Sequence, residues 1–312
     1  MQELVEQFNS TNEWGIRIVA EYGGDDGELM AKNLHAIALG TPPDLSIARP
    51  QQVAVYGEAD AIEPLDDYIN SPPYGLTTEE VADIQPAFLD SVRSPAFDNQ
   101  MMSFPLRHSM LVLYYNGDWL NELGYETHPE TWEAFREVSI VATDRDVGTY
   151  GYALAVDAST VTNWLWSRGG DLLSPDGKTA VFNGPEAVEA LRFVQALMDD
   201  GYAYQIAERY GDQADFADEK VLFAFDSTER LSHYAQAIAD RATGEPRFNW
   251  SVAPMPHSTT TPVVLIYGPG VCVFKTTPQK QLASWLFIRW LVQPENNIKW
   301  ATAGNSFPLR QS

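Results

Sequence analysis

Strands alternating with helices along the chain predict an α/β fold. Three observations carry that prediction. Runs rich in β-branched and aromatic residues, "SMLVLYYN" (109–116), "VLFAF" (221–225) and the two halves of "VVLIYGPGVCVF" (263–274), read as strands. Segments with helical spacing of apolar residues fall between such runs, at 29–39, 185–201 and 281–292. Gly40, Gly201 and Pro294 stop these helices where strong terminators belong.

Each element has its own warrant. Leu4, Val5 and Phe8 mark a first helix that starts abruptly at residue 1. "IRIVAEY" (16–22) alternates like a strand, and "PDLSIA" (43–48) reads as a short one. Met30, Leu34 and Ile37 share one face of the helix between them. Tyr115-Asn116 ends the run that begins near Ser109. Thr131 then caps a new helix, with Ala134 standing where a full capping box would need Glu. Pro185 occupies a favourable first helical position after Asn183-Gly184, and Val188, Leu191, Val194, Leu197 and Met198 form its apolar stripe.

The 312 residues suffice for one large or two medium domains, and no apolar run is long enough to span a bilayer. Met1-Gln2-Glu3-Leu4 supplies neither a basic region nor an apolar signal core, which leaves a cytoplasmic protein or a mature, trimmed segment. A formal net charge of −23 excludes nucleic acid and anionic membrane surfaces as partners. The acid is spread along the chain, so Asp25-Asp26 and Asp66-Asp67 read as solvated charge. The single cysteine, Cys272, lies in an apolar run and reads as a small buried residue; no internal disulfide or cysteine metal cage follows.

Catalytic signatures are missing. The sequence has no Gly-x-Ser-x-Gly elbow, no phosphate-cradling Gly-Lys-Ser/Thr loop and no His-Glu-x-x-His. His35, His108, His128, His233 and His257 are scattered without ligand spacing. Neither a metal nor a redox cofactor is called for. Aromatic content stands out instead, with nine Trp, 14 Tyr and 14 Phe. Flat apolar rings with polar tips suit sugars, which present C–H faces ringed by hydroxyls. Trp285, Trp290 and Trp300 read as core. Trp164 and Trp166, just before Gly169-Gly170, are expected on a loop facing a binding cleft.

These stretches, in order, resemble the family 1 extracellular solute-binding proteins of bacterial ABC importers. The resemblance rests on "ALGTPPDL" (38–45), "AIEPLDDYI" (61–69), "LVLYYNGDWLNELGYETHPETWEAF" (111–135), "WSRGGDLL" (166–173), "VAPMP" (252–256), "WLVQPENNIKW" (290–300) and "FPLRQS" (307–312). The piece running through Tyr115-Asn116 to Thr131-Trp132 is the most specific. The resemblance implies a two-lobed periplasmic-binding-protein-like fold, each lobe a sheet flanked by helices, with a hinge of crossing strands. Lobe one is expected at 1–110 plus 254–304, and lobe two at 111–253 plus 305–312. The family's first strand and its last helices are missing, which implies trimming at both ends.

The implied function is a carbohydrate-binding component of an ABC importer, monomeric, extracytoplasmic, delivering its solute to the permease subunits. A phosphorylated polyol such as a glycerol phosphate stands as the alternative, and a sugar-active enzyme as a remote one. Site residues implied by the resemblance are Tyr22, Gly23, Arg49 and Gln51 from lobe one, and His108 and Ser109 at the crossing. Lobe two adds Trp164, Trp166, Asp226, Ser227 and Thr228. Tyr267, Gly268 and Gly270 line the returning segment, and Arg310 the last crossing. Arg107 departs from the family pattern, which has a small or short polar residue there; it either reaches an anionic or hydroxylated ligand or pairs with one of the 43 acidic residues.

Overall fold

The computed structural model describes residues 1–208 and 210–312. The chain forms two compact units, one from residues 1–108 and 267–312, the other from 109–266. The chain passes from one to the other at His108-Ser109 and returns at Ile266-Tyr267. These limits differ from the expected ones at residues 109–110, which begin unit 2, and at two longer segments. Residues 305–312 belong to unit 1, because Phe307 exchanges backbone hydrogen bonds with His108 (2.7 and 3.2 Å) and Leu309 accepts one from Gln85 (3.1 Å). Residues 254–266 belong to unit 2, where Leu265 accepts from Leu111 N (3.0 Å) and Ser258 N donates to Ser167 O (2.8 Å).

The sheet of unit 1 has three antiparallel strands, with β9 (Gly270–Val273) between β1 (Leu45–Ala48) and β2 (Phe104–Pro105). Every residue of β9 is buried, including Cys272, whose thiol burial pushes up to about 12. The helix over 278–291 places Trp285 fully in the core, its indole donating to Tyr74 O at 2.9 Å. Phe8, from the helix over 2–11, meets Phe287 and Trp290 edge-on at 5.0 and 5.3 Å.

Two expectations change here. Pro294 begins a second helix, 294–303, at a position where its missing N–H costs nothing. Ile16–Tyr22 is not a strand. The side chains of Asn9 and Asn12 bond the backbone of Ile18 and Ile16 at 2.7–2.9 Å, so local side chains serve groups that a ladder would otherwise use. β1 consequently has one strand neighbour among the described residues.

Unit 2 is built on a mixed sheet whose strands lie in the order β5 (Ala203–Gln205), β4 (Tyr150–Leu154), β6 (Val221–Ser227), β3 (Ser109–Asn116) and β7 (Trp250–Ala253), with a short strand β8 (Ile266–Tyr267) also paired to β3. β3 runs antiparallel to β6 and β7. β4 runs parallel to both β5 and β6. Asn116 ends β3 as the sequence predicts, its carboxamide accepting from Trp119 N at 3.0 Å to cap a short helix. Thr131 caps the 132–142 helix by accepting from Ala134 N at 3.1 Å. That helix lays Phe135 flat on Phe223 and Phe225 at 4.9 and 5.4 Å, while Tyr114 stacks on Tyr234 at 4.0 Å. The aromatic β3 and β6 runs are thus consumed largely as core.

Candidate functional site

Three adjacent parallel strands of unit 2 deliver their carboxyl ends to one edge of the sheet. Open α/β sheets bind ligands beyond that edge, where the connections diverge. β4 leads to Asp157, which caps the 158–166 helix by accepting from Thr160 N at 2.8 Å. β5 leads to Tyr210 and then Asp212, at the start of the 211–217 helix. β6 ends in Asp226-Ser227, followed by a 3-10 turn over 228–230 that carries Arg230.

The groups converge there. Arg230 Nε stands 3.9 Å from Asp226 Oδ2, and its guanidinium lies 3.9 Å from the Tyr210 ring centroid. A second guanidinium nitrogen donates to Gln213 Oε1. The other Asp226 oxygen accepts from Ser227 N at 2.6 Å, while buried Oδ2 has no hydrogen-bond partner. Burial, reinforced by Asp212, pushes the Asp226 carboxyl up to about 7 against the Ser227 amide and Arg230. Burial raises Asp212 as well. Buried Tyr152 and Tyr234 couple to the same acids, which add to the rise that burial causes in both phenols. Neither hydroxyl has a hydrogen-bond partner.

This arrangement offers acceptors to a donor-rich ligand. Among the described residues no cluster of three or more His, Cys, Asp or Glu could hold a metal ion. A shallow cavity of about 780 Å³ also opens in unit 2, lined by residues such as Pro185, Val188, Glu189 and Phe193. It is mostly apolar, and none of its lining residues belongs to the acidic group.

The residues expected in the site scatter. In unit 1, Tyr22 is 90% exposed, Lys32 bonds Gly23 O at 2.7 Å, and Gln51 faces solvent on the first turn of the 50–58 helix. Arg49 pairs with Asp26 at 2.5 Å. Arg107 donates to Gly304 O at 3.1 Å and to Ser306 Oγ, over the Trp300 ring. His108 is buried, stacked on Phe88 at 4.1 Å with Nε2 3.1 Å from Ser91 Oγ, and burial lowers its pKa to about 4. Half-buried Tyr267 precedes two glycines whose role is packing. A Cβ on Gly268 would stand 2.0 Å from Arg107 O, and one on Gly270 2.7 Å from Ser103 Oγ. Arg310 is committed to the fold: Nε donates to Val292 O at 2.8 Å and Nη1 to Glu80 O at 3.1 Å, with Asp83 3.4 Å away.

In unit 2, Ser109 is buried at the start of β3. Trp164 corrects the loop expectation: it is 3% exposed, inside the helix that Asp157 caps. Trp166 closes that helix half-buried, its indole donating to Asp171 at 3.2 Å. Asp226, Ser227 and Thr228 do sit together. Ser227 Oγ accepts from Glu229 N and Thr228 Oγ1 from Met110 N, each at 3.1 Å. The sequence reading missed Asp157, Tyr210, Asp212 and Arg230. Their one available signal was position, each following a strand of a parallel set.

Acceptors gathered at the carboxyl ends of parallel strands lie where open α/β sheets receive small molecules. Residues 3–312 match the family of bacterial extracellular solute-binding proteins, and the chain belongs to that family. It is 25% identical over 178 residues to a binding protein of Brucella abortus (strain 2308), covering 55% of this chain and 40% of that one. It is 24% identical over 271 residues to the sn-glycerol-3-phosphate-binding periplasmic protein UgpB of Agrobacterium fabrum, covering 81% and 57%. The chain therefore matches less than two thirds of the length of either relative. Among solved structures it shares its fold with the sugar-binding protein MalE from the phytopathogen Xanthomonas citri. That match has a TM-score of 0.84 and 21% identity, and covers 99% of this chain and 76% of that one.

Proposed function

We propose that this protein is the solute-binding component of an ABC importer, that it binds a carbohydrate reversibly, and that it delivers it unchanged to permease subunits. It works as a monomer outside the cytoplasmic membrane, as a periplasmic protein or a lipid-anchored one. The observation carrying the carbohydrate reading is the hydrogen-bond acceptors at the carboxyl ends of β4, β5 and β6, in a chain of a solute-binding family. Sugar hydroxyls are the donors such a set would receive. The similarity to UgpB favours a second reading, a glycerol phosphate. Against it, Arg49, Arg107 and Arg310, the cations expected to hold a phosphate, are already bonded within the fold.

Equilibrium dialysis against sugars and glycerol phosphates tests the proposal, with the retained compound recovered after denaturation. A retained sugar, released unchanged, is the expected result. A sugar converted over time would establish an enzyme instead, and retention of glycerol phosphates alone would favour the second reading.

A further inference from the structure

The group at the carboxyl edge of β4, β5 and β6 has a definite sign. Asp226 stands 3.9 Å from one guanidinium, Arg230, which acts on Asp212 as well and which Gln213 and Tyr210 also engage, while Asp157 adds its charge against both acids. An incoming phosphate would meet three acids and a cation already occupied. A hydroxyl would meet a buried carboxylate oxygen, Asp226 Oδ2, that accepts no hydrogen bond. The phenol of Tyr234, 0% exposed, couples to Asp212, Asp226 and Arg230 and lacks a hydrogen-bond partner too, so polar demand on this spot comes from a second element.

Tyr210 adds an apolar element. The residue is 42% exposed, its ring beside Arg230, and its φ of 66° puts a non-glycine residue in the left-handed region. Strained backbone of that kind collects at ligand-holding positions. An exposed aromatic ring beside carboxylate acceptors matches the two surfaces of a pyranose, C–H face and hydroxyl rim.

We infer that Tyr210, Asp212, Asp226 and Arg230 form the specificity-determining group, and that it selects an uncharged sugar over a phosphorylated polyol. Tyr210 takes the stacking role expected, from the sequence, of Trp164 or Trp166. Arg230 holds Asp226 and Tyr210 in place, and the acids repel phosphate. This inference rests on the solute-binding reading.

Thermal-shift and calorimetric titration of the intact chain test it. The probes are glucose, maltose and trehalose beside glucose 6-phosphate and sn-glycerol 3-phosphate. A neutral sugar is expected to raise the melting midpoint while the phosphate esters leave it unchanged. Asp226→Asn and Tyr210→Ala are each expected to weaken that sugar about tenfold or more, the scale of one charged hydrogen bond or one stacked ring. Tyr210 is partly exposed, so its variant reports even if Asp226→Asn does not fold. Binding of a phosphate ester as tight as that of any neutral sugar overturns the inference and leaves the solute-binding reading standing. So does unchanged sugar affinity in Tyr210→Ala or in a folded Asp226→Asn. No response to any probe overturns the solute-binding reading for this panel, and the inference with it.

Discussion

In unit 1 the guanidinium of Arg310, 4% exposed, bonds two backbone carbonyls and lies within 4 Å of the Glu80 and Asp83 carboxylates. In unit 2 the carboxylate of Asp226, 16% exposed, has one backbone amide, a guanidinium at 3.9 Å and a second acid, Asp212, pressing on it. Both are buried charges, but the first is matched and the second is not. A matched buried charge fixes a chain segment: Arg310 ties residues 309–312 to the 80–85 stretch and to the end of the 278–291 helix. An unmatched one costs stability unless a proton neutralises it or a partner from outside the fold meets it. That difference is what the proposal of a ligand group in unit 2 rests on.

The largest effect that could break this comparison is loss of Arg310. Arg310→Ala would strand two carbonyls and leave Asp83 and Glu80 without their cation. We expect a destabilisation of about 3–5 kcal/mol in urea unfolding, the usual cost of removing one partner of a buried ionic network. A loss below about 1 kcal/mol would show that the unit 1 network is no better matched than the unit 2 cluster.

pH sharpens the contrast, because the two units respond with opposite sign. Asp226 has its folded pKa raised from 3.8 to about 7 by burial. Between those values the folded state holds a proton that the unfolded state has released, so its contribution to stability falls as pH rises from about 4 to 7. His108 has its folded pKa lowered from 6.5 to about 4 by burial. There the unfolded state binds the proton first, so its contribution falls as pH drops from 6.5 to 4. Each effect is worth on the order of 2–4 kcal/mol, and in the wild type they largely offset. Asp226→Asn should gain stability over wild type as pH climbs from 4 to 7, then plateau. The gap between wild type and His108→Gln should close as pH drops through 6.5. Two parallel pH profiles would remove the electrostatic basis of the comparison.

How far the sequence disclosed this follows from how local each signal is. β3 was readable because a β-favouring run ends in an asparagine that caps the next turn, and the 132–142 helix because Thr131 precedes it. Ile16–Tyr22 was misread because alternation defines a strand only if a neighbour pairs with it, and Asn9 and Asn12 reach its backbone first. Asp226 through Thr228 could be found as the end of a buried strand. Asp157, Asp212 and Arg230 could not: among 43 acids no single aspartate stands out, and what unites them is the parallel pairing of β4 with β5 and β6, which sequence neighbours do not encode. Trp164 did carry an unused local signal, since Asp157 with Thr160 three residues on is a helix start that buries the tryptophan.

The smallest effect asks whether the two units differ only where charge is buried. Each has an exposed lysine ion pair: Lys280 with Asp44 in unit 1 at 3.0 Å, and Lys220 in unit 2 with Asp215 at 3.1 Å and Asp218 at 3.2 Å, both lysines more than half exposed. Water screens such pairs, and fixing two long side chains costs entropy that offsets the attraction. Lys280→Gln and Lys220→Gln should therefore each lower stability by less than about 1 kcal/mol, and by similar amounts. Raising the salt concentration should shrink both changes further, since the Debye length drops from ~10 Å at 0.1 M to ~3 Å at 1 M. The Asp226→Asn gain at pH 8 arises from desolvation and should survive the same salt. If Lys220→Gln instead cost several kcal/mol while Lys280→Gln cost nothing, unit 2 would depend on its surface cations to hold the surplus acid together. The imbalance at Asp226 would then be a property of the whole unit rather than of its binding edge.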